Sequence, residues 1–403
     1  MAGSIHAGSG RPVRVAKNAL VILALAGITY LLANGFDKRA KGTDFPDFYT
    51  AARMVLEGQG HQLYNFQAQD QFQIRYVGRT GTYYIHPPFE TLLYLPFSLG
   101  SLPNAYLLWC FFNVAALAYT AILFQRHVFH RWDCRVLLLL FLLFPPVLLD
   151  FLQGQDSLLL LLLMTLAMVA LKRDRNFTAG CLLGCGLFKF HLILALFVLV
   201  ASLRRKRLIS GFALASVVLL LISASISGWG FLTGYPRFLM QLSGLPMGGI
   251  HPPQMANIRG LVAVSGLVQD SGIRLALTVA VSVLLFLVAG RFFTGRKLQF
   301  AHSRTLLFGN FVLASILVSY HLSPHDLCIA LLPIGILSEY LMNDEGLPRW
   351  MRLSLLSCLC MFYLPPLHLI LLARHLYAYA AIPILLVFMA TRGLRPPQPE
   401  RPA

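Results

Sequence analysis

The sequence predicts an all-α polytopic membrane protein with about 12 transmembrane helices and interfacial helices in its first outer loop. Three observations predict it. The 403 residues are 57% hydrophobic and only 12% charged, half the roughly 25% charge of a soluble domain. Apolar runs of membrane-helix length recur along the chain, separated by polar stretches. The basic residues, which give a formal net charge of +17, fall as small clusters between these runs. That is the pattern of topology signals in short cytoplasmic loops. It is not the single basic surface that nucleic acid requires.

The elements follow in order. Residues 1–18 carry Arg11, Arg14 and Lys17 and read as a cytoplasmic tail. A transmembrane domain over 19–391 begins with an apolar run at 19–34, which reads as an anchoring helix rather than a cleavable leader. Basic residues ahead of that helix place the amino terminus inside. Residues 35–88 are then a first extracytoplasmic loop, too long for a simple connector. Within it, 49–63 and 67–76 have helical spacing, as amphipathic helices lying on the membrane surface would. Pro87 and Pro88 end the loop, because they forbid a continuous helix there.

A short apolar piece (89–99) leads to a span at 103–125, and Arg126, Arg131 and Arg135 mark the cytoplasm. Residues 136–149 go out and 158–171 return to Lys172, Arg173 and Arg175. The run 177–203 cannot be one span without burying Lys189 centrally. It reads as two short helices, out and back, meeting near Lys189. Residues 208–227 exit to a second large extracytoplasmic loop at 228–270. The runs 273–290, 305–320, 327–341, 351–371 and 376–391 complete the set, and 392–403 reads as a cytoplasmic tail. The seven cysteines lie mostly inside apolar runs and lack ligands at zinc-like spacing.

This topology sends acids, histidines and amides to the outer face and mainly Arg and Lys to the inner one. The outer set includes Asp44, Asp47, His86, Gln155, Arg259, His321, His325 and Asp326, with Lys189 and His191 nearby in depth. An ionisable residue inside an apolar run is a functional candidate in its own right, and Lys189 is one. Asp47 fits a helix N-cap. Asp44, just ahead of Pro46, fits a cap less well and is a candidate general base for a hydroxyl acceptor. Lys189 and Arg259 are candidate phosphate ligands, one a point charge and the other a fork. Arg259 is equally readable as a lipid-headgroup contact. The histidines are candidates to bind phosphate or orient the acceptor. His321, His325 and Asp326 also look metal-like, but Pro324 breaks any helix between the two histidines, and no metal site is assigned.

The run Gly42-Thr43-Asp44-Phe45, Phe48-Tyr49-Thr50-Ala51-Ala52, Leu56-Glu57-Gly58 and Leu63-Tyr64 resembles the first outer loop of the bacterial polyprenol-phosphate-sugar-dependent glycosyltransferases of family 87. That family includes the mycobacterial phosphatidylinositol-mannoside mannosyltransferases. Five further stretches look like its motifs and keep their order. These are Tyr84-Ile85-His86-Pro87-Pro88-Phe89, Gly154-Gln155-Asp156-Ser157, Phe188-Lys189-Phe190-His191, Asn257-Ile258-Arg259-Gly260-Leu261, and His321 with His325-Asp326-Leu327. Phe190 stands where the family usually has Pro.

The resemblance implies a GT-C-type fold and a catalytic Asp early in the first outer loop. Asp44 is the matching position, with Asp47 the other candidate. It implies inverting transfer of a hexose, most commonly mannose, from a polyprenyl-phosphate donor to a glycolipid or other hydroxyl acceptor. The leaving phosphate would be held by Lys189, Arg259 or the histidines. The lipid-linked sugar is the co-substrate, and no separate cofactor is implied. The implied location is the bacterial inner membrane, with the site extracytoplasmic and both termini cytoplasmic. A transporter or flippase of a lipid-linked substrate is the alternative. It would account for Lys189 but not for the 35–88 loop with a carboxylate at its root.

Overall fold

The computed structural model describes residues 43–391 apart from 81–82, 131, 203, 244–250, 295–300 and 344–347, together with positions 18, 19, 22, 23 and 26. The expected tail at 392–403, nearly all of the tail at 1–18, and most of the apolar run at 19–34 lie outside the described residues. Helices and turns make up the described chain, with no strand among the described residues.

The first loop folds into two helices, α1 (Phe45–Leu56) and α2 (Phe66–Val77). Pro46 suits the first turn of α1, where its missing N–H costs nothing. Asn65 caps α2 by accepting from the Ala68 N–H, and Gly78 closes it in the left-handed region. Two expectations change here. The cap position of α1 is Asp44, not Asp47, and its side chain makes no cap bond. α1 is also no surface helix. Phe45, Phe48, Tyr49, Ala51, Ala52 and Met54 are all buried, so the apolar surface read as lipid-facing is packed against protein.

The long helix α3 (Leu102–His127) follows. α4 (Cys134–Leu143) and α5 (Pro145–Gln153) meet at 72°, where Pro145 forbids continuation. Then come α6 (Ser157–Lys172), α7 (Asn176–Cys185), α8 (Phe190–Ala201) and α9 (Lys206–Ser227). The segment expected as the second large loop carries α10 (Phe231–Ser243) and α11 (Ile258–Val264). α12 (Ser271–Thr294), α13 (Ala301–Val318), α14 (Leu331–Asn343), α15 (Arg349–Tyr363), α16 (Pro365–Ala373) and α17 (Ala381–Thr391) complete the chain.

The expected twelve spans are not supported. Among the described residues five helical stretches are long and apolar enough to cross a membrane, or up to seven if each of two bent pairs is one span. Length is the reason. Ser157–Lys172 has 16 residues, which reach about 24 Å against a hydrocarbon core of about 30 Å. The run expected as one span at 351–371 breaks at Pro365 with a 53° bend.

One of those five stretches, 176–201, does not run straight. A straight helix of that length would hold its ends about 38 Å apart. Yet Arg205 Nη1 donates to Asn176 Oδ1 at 2.6 Å, and the four residue steps from 201 to 205 reach only about 14 Å. α7 and α8 therefore form a hairpin, as the lysine in the apolar run predicts. Its tip is a 3-10 turn, Gly186–Lys189. α7 and α9 lie in near-backbone contact, since a Cβ on Gly180 would fall 2.0 Å from the Leu208 carbonyl oxygen and one on Gly211 2.1 Å from that of Phe177.

The hairpin's feet define one end of the molecule. Arg205 and Arg304 both reach Asp174, at 3.6 and 2.6 Å, and Lys172 Nζ donates to the His127 carbonyl at 2.7 Å. The tip defines the other end, beside the start of α6 and the first loop.

Candidate active site

A cavity of about 440 Å³ opens at the tip of the hairpin. It is walled by the start of α1, by the 83–87 segment, by the hairpin tip, by α10, and by the 320–326 turn. Nine of the ten site residues expected from the sequence line it: Asp44, Asp47, His86, Gln155, Lys189, His191, His321, His325 and Asp326. Arg259 does not. Its Nη1 donates to the Tyr320 carbonyl at 3.0 Å and its guanidinium lies 4.0 Å from the centroid of the Tyr320 ring, so it braces a wall residue from behind.

Lys189 is the centre of the polar network. Its ammonium lies 2.9 Å from Asp326 Oδ1, 3.2 Å from Asp156 Oδ1 and 3.0 Å from Gln155 Oε1. Asp326 is fixed in turn. Its Oδ1 accepts from Ser157 Oγ at 3.1 Å and its Oδ2 from the Ser323 N–H at 2.8 Å, closing a capping box over the 324–330 turn. His325 and His191 flank it, with Nε2 atoms 3.6 and 3.9 Å from its two oxygens. The rings of His191 and His321 meet edge to face at 5.7 Å.

Gln155 carries the network to Asp44. Its Nε2 donates to Asp44 Oδ2 at 2.6 Å across 111 positions of sequence. Its own carbonyl accepts from Trp109 Nε1 at 3.1 Å and from Asn113 Nδ2 at 3.2 Å, which pins the backbone. The approach depends on Gly154, which closes α5 at φ 67°. A Cβ there would lie 2.5 Å from the Cβ of Phe45. Asp44 is half-buried at the cavity wall. Burial raises its pKa above the ordinary carboxylate value, and the Gln155 hydrogen bond opposes that rise. A carboxylate tuned upward in a cleft is suited to accept a proton.

Asp47 is held differently. Its Oδ1 accepts from Gln73 Nε2 at 3.2 Å and lies 3.8 Å from Arg79, whose Nη2 also donates to the Thr43 carbonyl at 2.9 Å. Asp47 thus ties α1 to α2.

Sequence reasoning missed Glu90. It sits at the start of a piece read only as apolar, is fully buried, and lies 2.9 Å from His86 Nδ1. Burial pushes Glu90 up to about 8 and Asp156 up to about 7, and the charge of Lys189 opposes both rises. Burial, reinforced by Lys189, holds His86 down to about 4, and burial likewise lowers His321 to about 4. These imidazoles are therefore neutral near pH 7. The available signal for Glu90 was a lone acid four residues after His86. Tyr83, Tyr84, Tyr235 and Tyr320 complete the wall and were also missed as lining residues. Tyr235 ties α10 to the 83–87 segment by donating to the Ile85 carbonyl at 2.9 Å.

Residues 84–319, more than half of the chain, match the glycosyltransferase family 87 profile. The chain belongs to glycosyltransferase family 87. It is accordingly an enzyme, with a sugar donor and an acceptor as substrates, set in a bilayer by its helices. The match covers the positions of His86, Gln155, Lys189, His191 and Arg259, while Asp44, Asp47, His321, His325 and Asp326 lie outside it. No curated protein and no solved structure matches the chain.

Proposed function

We propose that this family 87 enzyme transfers a hexose, mannose in the simplest case, from a polyprenyl-monophosphate donor to a hydroxyl acceptor, with inversion. The acceptor oxygen attacks the anomeric carbon and its proton passes to Asp44. The bond from that carbon to the donor phosphate breaks, and polyprenyl phosphate leaves with the electron pair. The observation that carries this reading is the Asp44 carboxylate. Among the described residues its only hydrogen bond is the one from Gln155 to Oδ2, so Oδ1 is left to face the cavity as an acceptor. The other cavity carboxylates, Asp47 and Asp326, are tied to Gln73 and to Lys189.

His191, His321 and His325 gather on the wall formed by the hairpin tip and the 320–326 turn, the side on which the leaving phosphate is placed. The apolar side chains of Leu239 and Met240 on α10 line the cavity's edge and suit the first isoprene units of a lipid donor. The cationic cluster at the hairpin's feet lies at the far end from the cavity. By the positive-inside rule that end is cytoplasmic and the cavity opens on the extracytoplasmic face of a bacterial inner membrane.

The test is transfer of radiolabelled mannose from polyprenyl-phosphate mannose to membrane glycolipids by purified wild type, Asp44→Asn and Asp47→Asn. Loss of a general base costs about 10²- to 10⁴-fold, and that loss is expected for Asp44→Asn with donor binding retained. Asp47→Asn is expected to keep transfer within about tenfold and to lose stability, by about 1–2 kcal/mol for a weakened buried hydrogen bond. Full activity in Asp44→Asn would remove the base from this position. Wild-type protein that does not bind the donor would sink the donor assignment.

A further inference from the structure

The site contains one buried ammonium, and it is already enclosed by two carboxylates and an amide. A lysine ammonium has three donors and no acceptor. Its Nζ donates to Gln155 Oε1 at 3.0 Å and is ion-paired with Asp326 and Asp156 at 2.9 and 3.2 Å, on a side chain only 3% exposed. Each of these partners is itself held in place. Asp326 is fixed by Ser157 and the Ser323 N–H, Asp156 is backed by Glu90, and the backbone of Gln155 is pinned by Trp109 and Asn113. A donor phosphate would have to compete for Lys189 with two carboxylates and the Gln155 amide that already surround it.

The same contacts fix the Gln155 amide. An amide presents an oxygen on one side and an NH₂ on the other, and the surrounding network decides which way it points. Lys189 can only donate, so Oε1 faces it and Nε2 faces Asp44. We infer that Lys189 is a positioning residue rather than a phosphate ligand. It locks the Gln155 amide so that Asp44 receives a hydrogen bond on Oδ2 and presents Oδ1 to the acceptor hydroxyl. This rests on Asp44 being the base, as proposed above.

The consequence reaches the proton affinity of Asp44. Without Lys189 the amide can turn its oxygen toward the carboxylate, and a repulsion replaces a hydrogen bond. The groups that bear on Asp44 are Gln155, His86, Lys189 and Asp326, with Asp47 three residues on in α1. Of these, Gln155 makes direct contact, at 2.6 Å.

The experiment uses full-length protein in detergent and reads Asp44 itself. Asp44 is labelled with a water-soluble carbodiimide and an amine across a pH series and quantified by mass spectrometry, in wild type, Lys189→Met, Lys189→Arg and Gln155→Met. Labelling falls as the carboxyl ionises. In Lys189→Met and Gln155→Met its midpoint is expected to move up by about one pH unit, the scale of one lost hydrogen bond to a carboxylate. Lys189→Arg, which keeps the donors, is expected to lie between these variants and wild type. Lys189→Met leaves Asp156 and Asp326 without a counter-charge and is the variant most exposed to misfolding. Gln155→Met keeps those ion pairs and carries the midpoint test by itself. An unmoved midpoint in cooperatively melting Gln155→Met overturns the inference.

Transfer kinetics with polyprenyl-phosphate mannose form the second arm. A positioning role lowers kcat at least tenfold and leaves the donor KM within about threefold. A tenfold rise in donor KM at unchanged kcat for Lys189→Arg assigns Lys189 to the phosphate and overturns the inference. If wild type transfers nothing, the donor assignment has failed, and the labelling midpoints still decide the relay.

Discussion

Phe45 packs against Gly154 so closely that a β-carbon at 154 would lie 2.5 Å from the Phe45 Cβ. This contact sets the distance between the start of α1 and the turn that carries Gln155. Gly154 also has φ 67°, where an L-residue costs about 1–2 kcal/mol, and overpacking adds about 1–3 kcal/mol. Gly154→Ala is expected to lose about 2–5 kcal/mol in thermal unfolding in detergent. It is also expected to lose transfer out of proportion to the folded fraction, because the Asp44–Gln155 bond is stretched. A variant that unfolds earlier but transfers normally per folded molecule would separate this contact from the site.

The buried carboxyls make stability depend on pH. Glu90 at about 8 and Asp156 at about 7 bind protons more tightly folded than unfolded. The folded state therefore binds more protons, and stability falls as pH rises through these values. Below about 6.5 the lowered histidines His86 and His321 act the other way, so the clean window is pH 6.5–8. Over that window wild type is expected to lose about 1–2 kcal/mol, followed as a falling melting temperature. Glu90→Gln is expected to flatten the slope. A wild-type melting temperature independent of pH from 6.5 to 8 would contradict the buried acid pair.

The hairpin makes a topological prediction. In a background with the native cysteines replaced, Asn176→Cys and Lys206→Cys are expected to react with a membrane-impermeant thiol reagent from the same face of sealed vesicles. His61→Cys is expected to react from the opposite face. Labelling of 176 and 206 from opposite faces would mean that 176–201 crosses the membrane.

The most legible feature in the sequence was a conflict of types. Lys189 inside an apolar run announced both the break in the helix and the site. His86, Gln155, His321 and Asp326, read together as residues of one membrane face, do line one cavity. Pairings over long separations were not legible, since nothing near Asp44 marks Gln155 as its partner 111 residues away. Glu90 was hidden because Asp156, the second group it meets, comes from a distant part of the chain, and an acid beside apolar residues reads as a loop edge. Arg259 looked like a phosphate fork because a side chain's direction cannot be read from its place in a loop. The spans were overcounted because each apolar run was read as a full crossing. Runs such as 157–172 are buried by neighbouring helices instead, and protein burial selects the same residues as lipid.

The hairpin that presents Lys189 has both of its ends at the face remote from the cavity, where Asp174 bridges Arg205 and Arg304. Its arms have 10 and 12 residues, rigid rods of about 15–18 Å. It is thus a lever mounted from below. On the inference drawn above, a shift of the feet would be carried along both arms to the ammonium that sets the Gln155 amide. If the cavity opens outward as proposed, the charge state of Asp44 is thereby mechanically addressable from the membrane side opposite its substrates.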